Sequence, residues 1–290
     1  MTGIVSFDYR RIAEGYAKDR PFLHGQVMER LTDKMQKRYK NGLDVGCGAG
    51  LSTKALRQIC DRVTGADISA EMVRAASALY TEPEYSFVRA GAEEIVAPPD
   101  TYDIVTAAGV INWIDEKRFL SQMAGVMKKG GILLIYDFWI SGRMEGKPAF
   151  TEWYEKEYLK EFPKPPRKER VWTKEDTEAF HFELLCQETY SMDCEMSMEQ
   201  FVRFMLLQSN VIAQVEEKGK DLETVRQYLE ESAQPHFTSG MKEKLIFDGY
   251  SWYLRLKVRD IATETSMGMT KTEIGMAKEK ALHVLDSAMR

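Results

Sequence analysis

The stretch Leu43-Asp-Val-Gly-Cys-Gly-Ala-Gly-Leu-Ser52 constrains this chain more than any other. Leu43 to Val45 reads as a short strand, and a helix is predicted to start near Leu51. Between them, Gly46, Gly48 and Gly50 stand on alternate positions, where a backbone without Cβ atoms can bend sharply and approach a ligand closely. A helix start behind such a turn offers free N–H groups and a partial positive charge. The spacing then decides between ligands. A nicotinamide-binding turn carries glycine at its first, third and sixth positions. Here the sixth position is Leu51 and glycine falls on the fifth. Asp44, at the strand end, would repel a pyrophosphate and suits a cationic ligand such as one carrying an ammonium group.

A second signal lies at a set distance. Arg62 to Ala66 reads as an apolar strand ending in Asp67, which lies 21 residues after Gly46. A strand-end carboxylate about 20 residues past the first glycine grips ribose hydroxyls in nucleotide-binding sheets. Ser69 is predicted to cap the next helix, with Glu71 and Met72 in its first turn.

A carboxylate followed by Gly-x-Gly-x-Gly resembles motif I of the class I S-adenosylmethionine-dependent methyltransferases. The resemblance extends to Gly109-Val-Ile-Asn-Trp-Ile-Asp115 after the fourth strand, which is similar to the substrate-side segment of trans-aconitate methyltransferase-like enzymes. It also takes in Lys129-Gly-Gly131 followed by the apolar run Ile132 to Asp137. Further upstream, Phe7-Asp8, then Ala13, Tyr16 and Arg20 before Pro21, looks like the N-terminal cap segment of small-molecule methyltransferases. The cofactor implied is S-adenosyl-L-methionine, with S-adenosyl-L-homocysteine as product. The cofactor-binding residues implied are Tyr16, Arg20, Asp44, Gly46, Cys47, Gly48, Gly50, Asp67, Ile68, Met72, Ala92, Glu93 and Ala108. Within that set, Arg20 is expected near the cofactor carboxylate and Ile68 against the adenine. The family often has an Asp just before Ala92, and this chain has Gly91. Asn112, Trp113 and Trp139 are expected to touch the acceptor. Many relatives have His at the position of Asn112, and Asn cannot serve as a general base there.

Strands alternate with helices from 43 to 138, which implies a mostly parallel sheet covered on both faces. Tyr85 to Arg89 and Asp100 to Ala108 read as its third and fourth strands, the latter apolar like a buried parallel strand. Beyond 140 the pattern changes. Phe150, Trp153, Tyr154, Tyr158 and Phe162 repeat at helical spacing, either lining a pocket or, for most of them, packing on the sheet. Thr173 to Asp176 is a capping-box pattern, and Ser197-x-x-Gln200 is expected to cap a long helix reaching Val215. A sixth strand is predicted over 184–194 and a last strand over 247–256, which the resemblance implies is antiparallel.

The expected fold is therefore α/β: a Rossmann-like seven-stranded methyltransferase sheet, mostly parallel with its last strand antiparallel. Helices cover both faces, and a helical cap or insertion is added. The expected division is 1–40 as N-terminal cap helices, 41–140 as the cofactor-binding core, 141–246 as the helical insertions and substrate cap with the sixth strand, 247–260 as the last core strand, and 261–290 as a helical tail. That tail would dock on its own domain or form a homodimer.

Charge and cysteine content narrow the function. The net charge is −5 and no basic cluster extends beyond Lys164 to Arg170, which argues against a nucleic-acid partner. No apolar run approaches the roughly 20 residues of a membrane span and no signal peptide is apparent, so a cytoplasmic location is expected. Cys47, Cys60, Cys186 and Cys194 form no zinc-ligand spacing, so reduced thiols and no metal are expected. The histidines His24, His181, His236 and His283 are scattered and are read as structural or surface residues. No catalytic side chain is assigned. The expected function is methyl transfer from S-adenosylmethionine to a small organic acceptor, such as a carboxylate or hydroxyl. The alternatives are an adenosylmethionine enzyme of another reaction type and a non-catalytic cofactor binder.

Overall fold

A computed structural model describes residues 10–164 and 172–257. Two helices, α1 (Arg10–Asp19) and α2 (His24–Met35), lead into β1 (Tyr39–Val45). The chain then alternates through α3 (Leu51–Arg57), β2 (Cys60–Asp67), α4 (Ala70–Leu79), β3 (Tyr85–Arg89), β4 (Tyr102–Ala108), α5 (Glu116–Val126) and β5 (Met127–Met144). Helix α6 (Pro148–Trp153) continues through one π-helical turn, Tyr154–Tyr158, into α7 (Leu159–Glu161). After α8 (Lys174–Glu178) come β6 (Phe182–Ser197), α9 (Met198–Met205), α10 (Ser209–Ile212), α11 (Leu222–Ala233) and β7 (Lys242–Leu256).

The seven strands lie in the order β3-β2-β1-β4-β5-β7-β6. Strands β1 to β5 pair in parallel, and β7 runs antiparallel between β5 and β6. The chain steps outward from β1 to β3 and then returns to place β4 on the other side of β1. The sheet therefore has its switch point between β1 and β4, where open α/β sheets leave a crevice beyond their strand ends.

Side-chain parity along β5 builds two cores. Ile132, Leu134, Tyr136, Phe138 and Ile140 face one side, with Val27, Met28 and Leu31 of α2 and the aromatics of α6 and α9. Leu133 and Ile135 face the other, against Phe119, Leu120, Met123 and Val126 of α5. This parity turns Tyr136 toward the N-terminal helices. A smaller cluster joins Ile12 and Ala13 of α1 to Ala49, Met72, Leu207 and Ile212, so α1 lies over the glycine turn.

Several boundaries differ from the sequence reading. The N-terminal cap helices expected over 1–40 end at Met35, because Gln36 turns left-handed at φ 48° and Tyr39 already pairs with Cys60. The expected helix from Ser197 to Val215 breaks after Met205. Ser197 and Gln200 form the capping box as anticipated, but the chain restarts at Ser209 and ends in a π-helical turn. Lys129 to Gly131, placed ahead of the apolar run Ile132 to Asp137 in the sequence, already lie within β5. Strands β5, β6 and β7 run well past the expected lengths and cross-pair as far as Ser197 and Lys242. The five aromatics from Phe150 to Phe162 are all buried and pack as core, stacked on one another and on Phe201. The predicted helical tail over 261–290 lies outside the described residues.

Candidate active site

A cavity of about 370 Å³ opens over the C-terminal ends of β1, β2, β4 and β5. Its floor is the glycine turn. Gly46, Gly48 and Gly50 all have positive φ, at 66°, 52° and 92°. A Cβ on Gly46 would stand 2.2 Å from Val110 Cγ2, whereas one on Gly48 would meet only Met72 Sδ, at 4.0 Å. Gly48 is therefore the glycine that leaves room for a ligand.

The N–H groups of Gly46, Cys47, Gly48 and Gly50 are already engaged. Gly46 and Cys47 donate to the carbonyl of Ala66, Gly50 donates to that of Cys47, and Gly48 donates to Asp67 Oδ2 at 2.8 Å. A pyrophosphate needs such N–H groups free. Asp44 lies under the turn, fully buried, and does not line the cavity. Strand register puts Thr106 beside it, and Thr106 Oγ1 donates to Oδ1 at 2.8 Å. Oδ2 accepts from Ser52 Oγ at 2.5 Å and Thr53 Oγ1 at 2.7 Å, both from the first turn of α3. Burial pushes the pKa of Asp44 up to about 6 against the opposing effect of these three hydroxyls. Asp44 thus clamps strand β1 to helix α3 and reaches a ligand only as a field through Ser52, which does line the cavity. Gly50 is likewise turned away from the cavity. Its hydrogen side faces Tyr80, where a Cβ would come within 2.6 Å of Cε2.

Along the β2 side, Asp67 reaches the cavity with both oxygens anchored. Oδ2 accepts from Gly48 N–H and Oδ1 from Ser69 N–H at 2.9 Å. An ionised carboxylate is an acceptor at both oxygens, the chemistry that a pair of hydroxyl donors requires. Ile68 stands beside it, 47% exposed, and Met72, Ala92 and Glu93 continue the wall. Ser69 caps α4 by accepting from Met72 N–H, as its sequence position predicted. Cys47 is buried, and burial, then the nearby Asp44 and Asp67, raise its pKa well above the usual thiol range, so it is neutral.

Tyr16 and Arg20 close the cavity from the N-terminal side, with the guanidinium 4.6 Å above the Tyr16 ring. Among the described lining residues Arg20 is the one permanent cation, facing the carboxylates Asp67, Glu93 and Asp137. Ala108 lines the β4 end. Trp113 and Trp139 stand at the rim, 43% and 40% exposed. Asn112 is exposed in the short turn Ile111–Trp113 and does not line the cavity. Arg143 pairs with Asp248 and Arg203 with Asp19 and Glu199, so neither points a cation into it.

The sequence reading missed the wall opposite the glycine turn. His24, Tyr136, Asp137 and Phe138 line it, with Phe204, Gln208 and Phe247 from the cap and last strand. Their signal was positional: Tyr136 to Phe138 follow the fifth buried strand, and ligands gather at strand ends. Among the described residues no group of three His, Cys, Asp or Glu converges to hold a metal, and no helix is long and apolar enough to cross a membrane.

The sequence profile of a family described as a methyltransferase domain matches residues 43–135. Over residues 43–135 the chain is thus similar to a methyltransferase domain. Related proteins align over the same part of the chain. Trans-aconitate 2-methyltransferase of Rhodopseudomonas palustris is 36% identical over 95 residues, which is 32% of this chain and 36% of that protein. Ubiquinone biosynthesis O-methyltransferase of a Bradyrhizobium species is 34% identical over 96 residues, 32% of this chain and 38% of that protein. The chain thus spans little more than a third of the length of these curated relatives. A solved structure assigned to the type II methyltransferases, from Anaeromyxobacter dehalogenans, shares the fold at a TM-score of 0.62 and 20% identity, covering 81% of this chain and 97% of its own.

The lining of this cavity fits S-adenosylmethionine. The Asp67 carboxylate lines the cavity as an acceptor, the open space above Gly48 admits close approach, and the acidic lining suits a ligand carrying ammonium and sulfonium charges.

Proposed function

We propose that this protein is an S-adenosylmethionine-dependent methyltransferase acting on a small organic acceptor. The observation that carries the reading is the Asp67 carboxylate, fixed between two backbone N–H groups beside a glycine turn whose own N–H groups are engaged. That arrangement takes an uncharged diol next to a cation and disfavours a pyrophosphate.

In this reading Asp67 holds the ribose hydroxyls, and Ile68, Met72, Ala92 and Glu93 flank the adenine. Arg20, steadied on Tyr16, faces the cofactor carboxylate. Gly46, Cys47 and Gly48 form the bed under the methionyl portion, and Ala108 closes the β4 end. Asp44 and Gly50 position the turn and Asn112 leaves the acceptor set. Bound there, S-adenosylmethionine supplies an electrophilic methyl group. The chain's own contribution is to align the acceptor with that methyl and to exclude water, and alignment alone can be worth roughly 7–11 kcal/mol. Trp113, Trp139, Phe138 and Phe247 supply apolar faces for the acceptor, as small-molecule pockets require. The two relatives whose names specify an acceptor pathway, trans-aconitate and ubiquinone methylation, act on small organic compounds, which supports the same acceptor class here.

The test is incubation with methyl-labelled S-adenosylmethionine and a fractionated metabolite extract. Label entering the small-molecule fraction is expected. Cofactor binding with no transfer would move the protein to the non-catalytic alternative, and loss of the cofactor methyl without an acceptor product to another reaction type.

A further inference from the structure

His24 is set apart from the other histidines by its place in the cavity wall. It opens α2 and lines the cavity directly opposite the glycine turn. Its Nδ1 lies 2.8 Å from the hydroxyl of Tyr136, a residue that the parity of β5 turns toward α2. The imidazole also meets Phe138 edge to face, with ring centroids 4.9 Å apart. Two neighbours on β5 therefore hold one ring, and its second nitrogen is left over. Among the described residues Nε2 has no hydrogen-bond partner, and it is not among the fully buried polar atoms that lack one. It opens to the cavity.

The direction of the Tyr136 hydrogen bond fixes what Nε2 can do. Tyr136 is 1% exposed, and among the described residues its hydroxyl has no other partner than His24. Burial holds the phenol in its protonated form. If Nδ1 carried the hydrogen, the phenol proton would be buried with no acceptor. Tyr136 therefore donates to Nδ1, and a neutral imidazole with Nδ1 accepting carries its hydrogen on Nε2. Burial, then the Arg20 guanidinium, push the histidine pKa down to about 3, so the ring stays neutral. An imidazole of that kind is a poor base and a good, fixed hydrogen-bond donor.

We infer that His24, its tautomer set by Tyr136, anchors an anionic oxygen of the acceptor through Nε2–H, and that the acceptor is a small carboxylate ionised before it binds. This deepens the methyltransferase reading and rests on it. The chemistry asks for no base from the site. A carboxylate oxygen uses its own lone pair for the new bond to carbon, the pair of the broken bond leaves with sulfur, and no proton has to be removed. The carboxylates Asp67, Glu93 and Asp137 also line the cavity. His24, beside Phe138, adds a neutral donor to that lining and no further negative charge.

The test uses the full chain with its histidine nitrogens labelled, loaded with S-adenosylhomocysteine and titrated with trans-aconitate and with benzoate at millimolar concentration. His24→Gln identifies the His24 signals by their loss. The expected result is the Nε2–H tautomer in the wild type, a shift of the Nε2 resonance on adding either carboxylate, and mixed tautomers in Tyr136→Phe. In the transfer assay His24→Ala should raise the acceptor KM about tenfold or more, the worth of a hydrogen bond to a charged group. His24→Gln, whose amide can place a donor near Nε2, should recover much of that loss. Cofactor affinity should be unchanged in every variant. An Nδ1–H tautomer, no shift with either carboxylate, or an unchanged KM in His24→Ala would overturn the inference while leaving the cofactor reading intact. Failure of the wild type to bind S-adenosylhomocysteine would instead take down the cofactor reading, and this inference with it.

Discussion

The two walls of the cavity are built by different means. The wall of β1 and β2 is made of backbone: a turn of positive-φ glycines, N–H groups paired within the turn, and two carboxylates held by hydroxyls and N–H groups. The opposite wall is made of side chains from distant segments: His24 of α2, Tyr136 to Phe138 of β5, Phe204 of α9 and Phe247 of β7. A backbone-built wall tolerates few sequences and fits one ligand. A wall of side chains on separate elements can be refitted one residue at a time, which suits the half of the site that chooses the acceptor.

Breaking the first wall should cost most. Gly50→Ala combines a φ of 92° with a Cβ 2.6 Å from Tyr80. It should destabilise the fold by about 3 kcal/mol, from left-handed strain plus overpacking, as read by urea denaturation. Asp67→Ala should leave the fold standing and weaken S-adenosylhomocysteine binding by roughly 1.5–3 kcal/mol, as read by calorimetry. Unchanged affinity in that variant would remove Asp67 from the ribose position.

The buried ionisable groups give a smaller, pH-dependent contrast between the walls. His24 has a folded pKa of about 3 against an ordinary 6.5, so between those values the unfolded chain carries the extra proton and stability falls as pH falls. Asp44, at about 6 against 3.8, runs the other way: the folded state holds the extra proton, and stability rises as pH falls through that window. The two oppose each other in the wild type. His24→Gln removes the first, so its stability relative to the wild type should rise on acidification from 6.5, by no more than about 1.4 kcal/mol per pH unit. A flat difference across a denaturation series in pH would show that His24 titrates normally.

The smallest effect belongs to the rim. Trp139→Ala should raise the acceptor KM by roughly fivefold, about 1 kcal/mol for one aromatic face, and leave cofactor affinity alone. Loss of cofactor affinity instead would show the two walls to be drawn in the wrong places.

The same difference in construction explains what the sequence disclosed. Local backbone chemistry is written in consecutive residues, so Gly46 to Gly50, Asp67 at its fixed offset and the Ser69 cap were legible. The alternation from 43 to 138 gave the sheet and its parallel core, and the antiparallel last strand followed from the family resemblance. The burial of Asp44 was not legible, because it depends on Thr106 arriving beside it through strand register. His24 was read as structural because its partner Tyr136 lies 112 residues away. Asn112 was placed by the neighbouring Trp113, yet a short helical turn separates their directions. The breaks at Met205 and in the π-helical turns escaped periodicity, which counts faces and not the hydrogen bonds that interrupt a helix.

Equilibrium binding of S-adenosylhomocysteine and of NAD to the wild type, Asp67→Ala and Trp139→Ala tests the central division of the cavity most directly. The account predicts that S-adenosylhomocysteine binds the wild type and Trp139→Ala alike, binds Asp67→Ala at least about tenfold more weakly, and that NAD does not compete. NAD binding as tightly as S-adenosylhomocysteine, or a loss confined to Trp139→Ala, would contradict it.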